Sequence, residues 1–231
     1  MNFQLIVRIC LLLISIVPPI FCQGFWGNEF PEGKIEYEPK SYVCYKTIQP
    51  VILDGKITEK AWADIPWTDS FVDIEGPLKP KPYNDTKVKM LWDLDYFYFA
   101  VYMKEPHVWA TLKDRDAVIY KDNDFEIFLD PDGDTHNYYE LEVNALGTEW
   151  DLLITKPYHD GGKVALDSWD IPDLITNVHI DGTLNDPSDL DNGWSIEIAI
   201  PWKAFIGNYR SNNAPKDGEQ WKVNFSRVHW E

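Results

Sequence analysis

Residues 122–153 read DNDFEIFLDPDGDTHNYYELEVNALGTEWDLL, and they contain the strongest secondary-structure signal in the chain. Apolar and polar side chains alternate along residues 124–130 and again along residues 138–144, as they do in a β-strand with one buried face. Between the two runs, residues 131–134 read Pro-Asp-Gly-Asp, a composition typical of tight turns. The sequence therefore predicts a hairpin with an acidic turn, followed by a third strand.

The polar positions of this hairpin are acidic. If its two strands pair, their even-numbered side chains share one face, which carries Asp124, Glu126, Glu140 and Glu142 without an interleaved lysine or arginine. Like charges that face each other across neighbouring strands destabilise a sheet. We therefore expect these charges to be compensated by a bound cation, by a ligand rich in hydroxyl groups, or by water on an open face.

The N-terminal segment has the features of a secretory signal peptide. Arg8 precedes an apolar run over residues 9–21, which is too short to span a bilayer comfortably. We predict residues 1–22 as the signal peptide, residues 23–40 as a leader rich in glycine, proline and glutamate, and residues 41–231 as the folded domain. The expected location is extracellular, with no membrane segment after cleavage; an uncleaved anchor is the alternative.

The overall charge limits the partners. The formal net charge is −17 at pH 7. A chain this acidic repels nucleic acid and anionic membrane surfaces, so neither is expected as a partner. Neutral ligands, cations and basic proteins remain as possible binding partners.

Two Asn-X-Ser/Thr sequences predict N-glycosylation if the host is eukaryotic. They begin at Asn84 and Asn224. Asn84 lies in a proline-rich segment that has the composition of an exposed connector, so we expect it to be the better acceptor.

The rest of the chain repeats short alternating runs separated by turn residues, and after the signal peptide no ten-residue stretch has a helical period. Short strands with regular turns are typical of an all-β fold, and we predict a β-sandwich of jelly-roll type. Strands are predicted over residues 42–47, 87–92, 96–102, 194–200 and 221–230. The last of these runs has no closing turn, so we expect a C-terminally truncated sandwich that lacks its last strand.

Four groups of residues occur in an order and spacing that are specific when taken together. They are Ile52-Leu53-Asp54-Gly55 with Glu59 and Trp62; Val88 and Met90-Leu91-Trp92-Asp93 with Tyr96 and Tyr98; Asp122, Asp124, Glu126-Ile127-Phe128 and Asp130; and Gly193-Trp194, Ile196-Glu197 and Ala199-Ile200-Pro201-Trp202. This pattern resembles carbohydrate-binding module family 9. The resemblance implies a β-sandwich secreted by sugar-degrading organisms, often attached to glycoside hydrolases, and containing calcium in characterised members. The related DOMON-like superfamily also includes haem-binding electron-transfer domains.

The resemblance also implies site residues. The family places a stacking aromatic just ahead of the acidic strand, and Tyr120 occupies that position. An aromatic ring suits a sugar because the apolar C–H face of a pyranose can be desolvated against it. Glu126 matches a glutamate that hydrogen-bonds the sugar, whereas a basic residue of the family on the following strand is replaced here by Glu142. We therefore predict Tyr120, Glu126 and Glu142 as carbohydrate-binding residues.

The acidic turn of the hairpin is a candidate calcium site. Asp130, Asp132 and Asp134 provide closely spaced oxygen ligands around Gly133, an arrangement that calcium prefers, and Asp122 could add a further ligand. The sequence lacks the downstream bidentate glutamate of an EF-hand loop, and the turn joins strands instead of helices. A calcium site and a plain acidic turn are therefore both open.

The function predicted from these features is a secreted, non-catalytic domain that binds poly- or oligosaccharides, serves carbohydrate catabolism and accompanies a glycoside hydrolase. One alternative is a glycoside hydrolase that uses paired carboxylates such as Glu126 and Glu142. A weaker alternative is a haem-binding electron-transfer domain with Met90 or Met103 as an axial ligand, although no histidine pairs with Met90 in the sequence.

Overall fold

The structure, a computed structural model, describes residues 39–205 and 214–230. Apart from Pro39, these residues belong to one compact unit, Lys40–Glu231. The predicted signal peptide and nearly all of the predicted leader lie outside the described residues. Within the described ranges, no helix has the length and apolar composition needed to cross a membrane.

The described residues form two sheets of five strands each. In chain order the strands are β1 (Tyr45–Lys46), β2 (Thr86–Trp92), β3 (Tyr96–Lys104), β4 (Asp124–Asp130), β5 (Tyr138–Asn144), β6 (Glu149–Ile154), β7 (Ala165–Leu166), β8 (Ile175–Asp181), β9 (Gly193–Pro201) and β10 (Lys222–Ser226). The first sheet has the strand order β1-β2-β3-β9-β8 and the second has the order β10-β4-β5-β6-β7. In the described part of the chain, helical structure is limited to α1 (Lys60–Ala63) and 3-10 turns at Gly76–Leu78, Ile119–Lys121, Tyr158–Asp160 and Trp202–Phe205.

The space between the sheets is filled by apolar side chains from both of them. Phe125 and Ile127 of β4 pack there with Ile196 of β9, and all three are at most 1% exposed. Complete burial of one such side chain contributes about 1.5–3 kcal/mol to folding. This core joins the sheets into a β-sandwich, which confirms the predicted fold class. Met90 and Met103, the methionines of the haem alternative, are also part of the core.

The acidic hairpin forms in the predicted register. Strands β4 and β5 are antiparallel, and Phe125 lies opposite Val143 while Glu126 lies opposite Glu142. The odd-numbered residues of both strands belong to the core, so the acidic even-numbered residues lie together on the outer face of the second sheet. The prediction that the acids share one face is confirmed.

Two strands are shorter than the sequence predicts. Of the strand predicted over residues 42–47, only Tyr45–Lys46 pairs with the sheet, parallel to β2. The strand predicted over residues 221–230 is β10, which ends before Arg227. The Arg227 side chain forms an ion pair with buried Glu105, and the chain beyond it runs beside the start of β4. The alternation of residues in the sequence continues beyond β10, but the buried ion pair of Arg227 with Glu105 interrupts the strand.

A buried glutamate ties two of the four sequence groups together. The carboxylate of Glu197, on β9, accepts hydrogen bonds from the backbone N–H groups of Asp54 and Gly55 and from the indole N–H of Trp62, at 2.8–2.9 Å. Gly55 has a φ of 83°, and a Cβ atom there would lie 2.6 Å from the backbone nitrogen of His179, so only glycine fits. The Asp-Gly turn and Trp62 are therefore parts of the scaffold.

Replacing Glu197 by alanine should destabilise the domain strongly. The change leaves three donors without their acceptor, and we expect the free energy of unfolding to fall by about 3 kcal/mol or more. Denaturant titration followed by tryptophan fluorescence measures this loss. The control Glu75→Ala removes an exposed carboxylate that pairs with Lys79 and should cost less than about 0.5 kcal/mol. A loss below about 1 kcal/mol in Glu197→Ala would contradict the proposed scaffold role.

Candidate functional site

Four carboxylates on the outer face of the second sheet form an acidic cluster: Asp124 and Glu126 on β4, and Glu140 and Glu142 on β5. One carboxylate oxygen from each of Asp124, Glu126 and Glu142 lies within 4.8 Å of the others. The exposed fraction is 0% for Asp124, 8% for Glu126, 4% for Glu140 and 2% for Glu142. Of the three ways to compensate these charges that the sequence left open, water on an open face is contradicted, because the structure buries the carboxylates.

Neighbouring segments hold two of these carboxylates. The backbone N–H of Tyr120 donates to Oε2 of Glu142 at 2.9 Å, and the hydroxyl of Ser226 on β10 donates to Oε2 of Glu126. Tyr120 belongs to the 3-10 turn Ile119–Lys121, which directly precedes β4. The structure thus brings together the three residues that the sequence predicts for carbohydrate binding.

The other two carboxylates are also held by hydrogen bonds. The backbone N–H of Val228 donates to Oδ1 of Asp124 at 3.1 Å, and the phenol of Tyr158 donates to Oε2 of Glu140 at 2.5 Å. The remaining oxygen of Asp124, Oδ2, is buried and has no hydrogen-bond partner. A buried polar atom without a partner is costly, so Asp124 is the least satisfied member of the acidic cluster.

Burial and mutual repulsion raise the pKa values in the cluster. Burial is the main cause throughout; it raises the pKa of Asp124 to about 8, with the charge of Glu126 as the next cause. The pKa of Glu142 rises to about 9 and that of Glu140 to about 7, again chiefly through burial. Two like charges 4 Å apart repel each other by about 4 kcal/mol at an effective dielectric constant of 20. Without a cation, the acidic cluster therefore retains protons at neutral pH.

Three aromatic side chains border the cluster, and we call them the aromatic rim: Tyr120, Trp150 and Trp230. The ring of Tyr120 is 45% exposed, and its centroid lies 6.1 Å from that of Trp150, which pairs across the sheet with Glu142. Trp230 is 60% exposed, and its indole N–H donates to the carbonyl oxygen of Tyr120 at 2.9 Å. Exposed rings beside buried acceptors provide an apolar surface next to hydrogen-bonding groups.

Sequence reasoning missed two members of the aromatic rim. Trp150 could have been found, because the alternation along β6 places it on the same face as Glu142, its partner in the next strand. No local pattern marks Trp230, which is positioned by the path of the chain after β10. Its backbone N–H donates to Oδ1 of Asn123 at 2.7 Å.

A family model described as carbohydrate family 9 binding domain-like matches residues 52–219. The chain belongs to this family. The resemblance predicted from the four residue groups is thereby confirmed, and membership supports carbohydrate binding as the broad function.

Solved structures resemble this family 9-like domain in fold. A protein of Bacteroides uniformis, provisionally described as carbohydrate-binding, has a TM-score of 0.59 and 17% identity, over 80% of this chain and 81% of that chain. A family 9 module of Caldicellulosiruptor kristjanssonii in complex with cellotriose has a TM-score of 0.47 and 16% identity, over 80% and 83% of the two chains. The likeness to the Bacteroides uniformis protein concerns the fold alone. No protein with a curated description matches the sequence.

The acidic turn of the family 9-like domain keeps its three aspartates together. Asp130, Asp132 and Asp134 each place a carboxylate oxygen within 4.8 Å of the others. Both oxygens of Asp130 accept backbone N–H groups, from Gly133 at 2.8 Å and from Thr135 at 2.9 Å. Asp132 and Asp134 are exposed and could bind a hard cation, so calcium at this turn stays a prediction.

Asp122 is not part of that group. It precedes β4, whereas the acidic turn follows this strand. Its Oδ2 accepts the backbone N–H groups of Thr111 and Leu112 at 2.7 and 2.8 Å and the side-chain amide of Asn144 at 3.0 Å, and its Oδ1 accepts the Thr111 hydroxyl at 2.9 Å. Asp122 therefore fastens a neighbouring loop to the sheet.

The two glycosylation sequences differ in exposure, in the opposite sense to the expectation. Asn84 is 8% exposed, and its amide nitrogen lies 3.4 Å from Nε2 of His229. Asn224 lies on β10 and is exposed. The folded domain thus presents Asn224 more openly than Asn84, and glycosylation itself stays a prediction.

The raised pKa values predict a specific pH dependence of stability in metal-stripped protein. A carboxyl group whose pKa is higher in the folded than in the unfolded state binds more protons when folded, so stability falls as the pH rises through that interval. The interval runs from about 4, the unfolded value, up to the folded values of about 8 for Asp124 and about 9 for Glu142. We expect the free energy of unfolding to fall by at least about 2 kcal/mol between pH 5 and pH 9.

Glu142→Gln should flatten this dependence, since the amide stays neutral at every pH. The control Asp217→Asn removes one exposed acid outside the acidic cluster and should leave the dependence as in the wild type. Urea titrations in the presence of a chelator at pH 5, 7 and 9 measure the effect. Equal pH slopes in the wild type and Glu142→Gln would show that this carboxyl group does not carry the dependence.

Proposed function

We propose that this chain is a secreted, non-catalytic carbohydrate-binding module, and that its sugar site is the aromatic rim together with the acidic cluster beneath it. The observation that carries the proposal is the position of Tyr120: its exposed ring lies 6.1 Å from the ring of Trp150, and its backbone N–H donates to Glu142. Membership of the family adds the broad function. The ligand class is a neutral poly- or oligosaccharide, in agreement with the acidic surface of the protein.

The chemistry of the rim suits a pyranose ring. The apolar C–H face of the sugar is desolvated when it stacks on an aromatic ring, while the sugar hydroxyls at its edge stay free to hydrogen-bond. The planes of Tyr120 and Trp150 are inclined by 39°, so a flat sugar can stack on one ring while the other borders its edge. Glu126 is the most exposed carboxylate of the cluster and is the acceptor we assign to a sugar hydroxyl.

Burial of the carboxylates favours binding over hydrolysis. A glycosidase needs two carboxyl groups on either side of the scissile bond, separated by about 5–5.5 Å or about 6.5–9.5 Å, with space for the sugar between them. Carboxylate oxygens of Asp124, Glu126 and Glu142 instead lie within 4.8 Å of each other in a group that is at most 8% exposed. Carboxyl groups that are this deeply buried do not flank an open cleft, so we assign any hydrolysis to an associated enzyme.

Calorimetric titration with mono- and oligosaccharides tests the sugar site. Loss of a stacked ring costs about 1–3 kcal/mol in comparable binding sites, so Tyr120→Ala and Trp150→Ala should each weaken binding roughly tenfold or more. The matched control is Tyr83→Ala, which removes a tyrosine that is 90% exposed on a loop outside the rim, and its affinity should equal that of the wild type. Unchanged affinity in both rim variants would place the sugar elsewhere.

The same preparations distinguish binding from catalysis. Purified protein incubated with aryl glycosides and oligosaccharides should release no product. Steady cleavage that disappears in Glu126→Gln would show that the protein is a glycoside hydrolase and not a non-catalytic binding module.

Secretion is the second part of the proposal, and its support is the sequence of residues 1–22. Expression in a secreting host should release a protein that begins close to Gln23. N-terminal sequencing of protein from the medium measures the cleavage site. A product that retains residues 3–20, or one that stays with the cells, would contradict secretion by this route.

A further inference from the structure

We propose that the acidic cluster is a binding site for a hard divalent cation, held between Asp124, Glu126 and Glu142 beneath the aromatic rim. This site is separate from the acidic turn, where the sequence predicts calcium. It does not require the proposed sugar binding, since the ion is bound by carboxylates of the protein itself.

The spacing of the carboxylates fits a shared ion. One oxygen from each of Asp124, Glu126 and Glu142 lies within 4.8 Å of the other two. Calcium binds oxygen ligands at about 2.3–2.6 Å, so two ligands on opposite sides of one ion are separated by about 4.6–5.2 Å and other ligand pairs by less. Hard carboxylate oxygens select calcium, magnesium or manganese over softer metals.

The second observation is the unpartnered oxygen of Asp124. This side chain is 0% exposed; its Oδ1 accepts the N–H of Val228, and its Oδ2 is buried without a hydrogen-bond partner. The hydrogen bond from Ser226 likewise uses one oxygen of Glu126, and Glu142 accepts the N–H of Tyr120 and also shares a side-chain hydrogen bond with Glu140. The protein donors thus fix the orientation of three carboxylates, and a cation between them would give Oδ2 of Asp124 the partner that it lacks.

Charged groups around the cluster do not supply that partner. Among the described residues, Arg227 acts electrostatically on Asp124, but its guanidinium forms an ion pair with Glu105, and Glu105 is almost fully buried. Glu140 stands next to Glu142 on the same face and adds a fourth carboxylate to the group. The remaining ways to balance these charges are bound protons and a bound cation.

The acidic turn is a poorer cage for an ion. Asp132 and Asp134 are exposed there, and both oxygens of Asp130 accept backbone N–H groups. The ammonium group of Lys222 also donates to the carbonyl oxygen of Gly133, which brings a positive charge to the same turn. The acidic cluster is buried, has an oxygen without a hydrogen-bond partner and, among the described residues, has no hydrogen bond from a lysine, so it is the stronger of the two sites.

The test uses protein stripped with a chelator and then titrated with calcium, magnesium or manganese chloride. An ion that binds the folded state raises the melting temperature by mass action, and we expect a rise of about 5 °C or more at millimolar calcium. Asp124→Asn and Glu142→Gln, which keep side-chain size, should reduce the rise to less than about 1 °C. Asp132→Asn, the matched control in the acidic turn, should retain it.

Two results would overturn the proposal. One is a stripped wild-type protein whose melting temperature no divalent ion raises, which would mean that protons alone balance the cluster. The other is a rise that persists in Glu142→Gln and disappears in Asp132→Asn, which would assign the ion to the acidic turn.

A second readout does not depend on stability. Terbium(III) replaces calcium at oxygen sites and emits when a nearby tryptophan is excited, and Trp150 pairs across the sheet with Glu142. We expect sensitised emission from the wild type and Asp132→Asn, displaced by excess calcium, and emission at least fivefold lower from Glu142→Gln with native near-ultraviolet circular dichroism. Equal emission from natively folded Glu142→Gln would contradict the site. Sugar affinity measured on the same samples reports separately on the proposed function.

Discussion

The pairing of Glu126 with Glu142 across β4 and β5 is the constraint on which the site depends. Side chains alternate between the faces of a sheet, so shifting the register by one residue would move Phe125 and Ile127 out of the core and acids into it. The cost of that exchange fixes the register firmly. Once the apolar residues occupy the space between the sheets, the acidic residues must face each other on the outer side, even though their carboxylates repel each other.

The same contacts that cover the acids also create the aromatic rim. The turn before β4 brings the backbone N–H of Tyr120 to Glu142. The segment after β10 brings Val228 to Asp124 and Trp230 to the carbonyl of Tyr120. Covering the carboxylates removes water from them, which raises their pKa values, and it leaves exposed rings at the border of a desolvated group. Local conflicts of this kind, which cost stability, are typical of functional sites.

The residue groups that identify the family are mostly structural. Glu197 holds the Asp54-Gly55 turn and Trp62, and Asp93 accepts the N–H of Tyr96 and the phenol of Tyr98 at 2.8 Å each. These hydrogen bonds connect loops to the first sheet, which explains why the groups indicate the fold so well. The acidic cluster lies on the other sheet, where Glu142 replaces a basic residue expected from the resemblance. The fold of this domain therefore follows the family pattern more closely than the residues of its candidate site do.

Sequence alone determined what depends on neighbours in the chain. The alternation of apolar and acidic residues was enough to predict the hairpin, its two faces and the sandwich, because period two is a property of each strand. It did not reveal β8, whose side chains are partly exposed on both faces and so show no clean alternation.

Four features were decided only by the tertiary structure. They are the burial of the acidic cluster, the position of Trp230 beside it, the hydrogen bonds of Asp122 to a loop and the burial of Asn84. Each of these depends on segments far apart in sequence: Asp124 and Val228 are separated by 104 residues, and Asn84 and His229 by 145. A local sequence pattern shows on which face of a sheet a side chain lies. Whether that face is shielded from solvent depends on which distant segment packs over it.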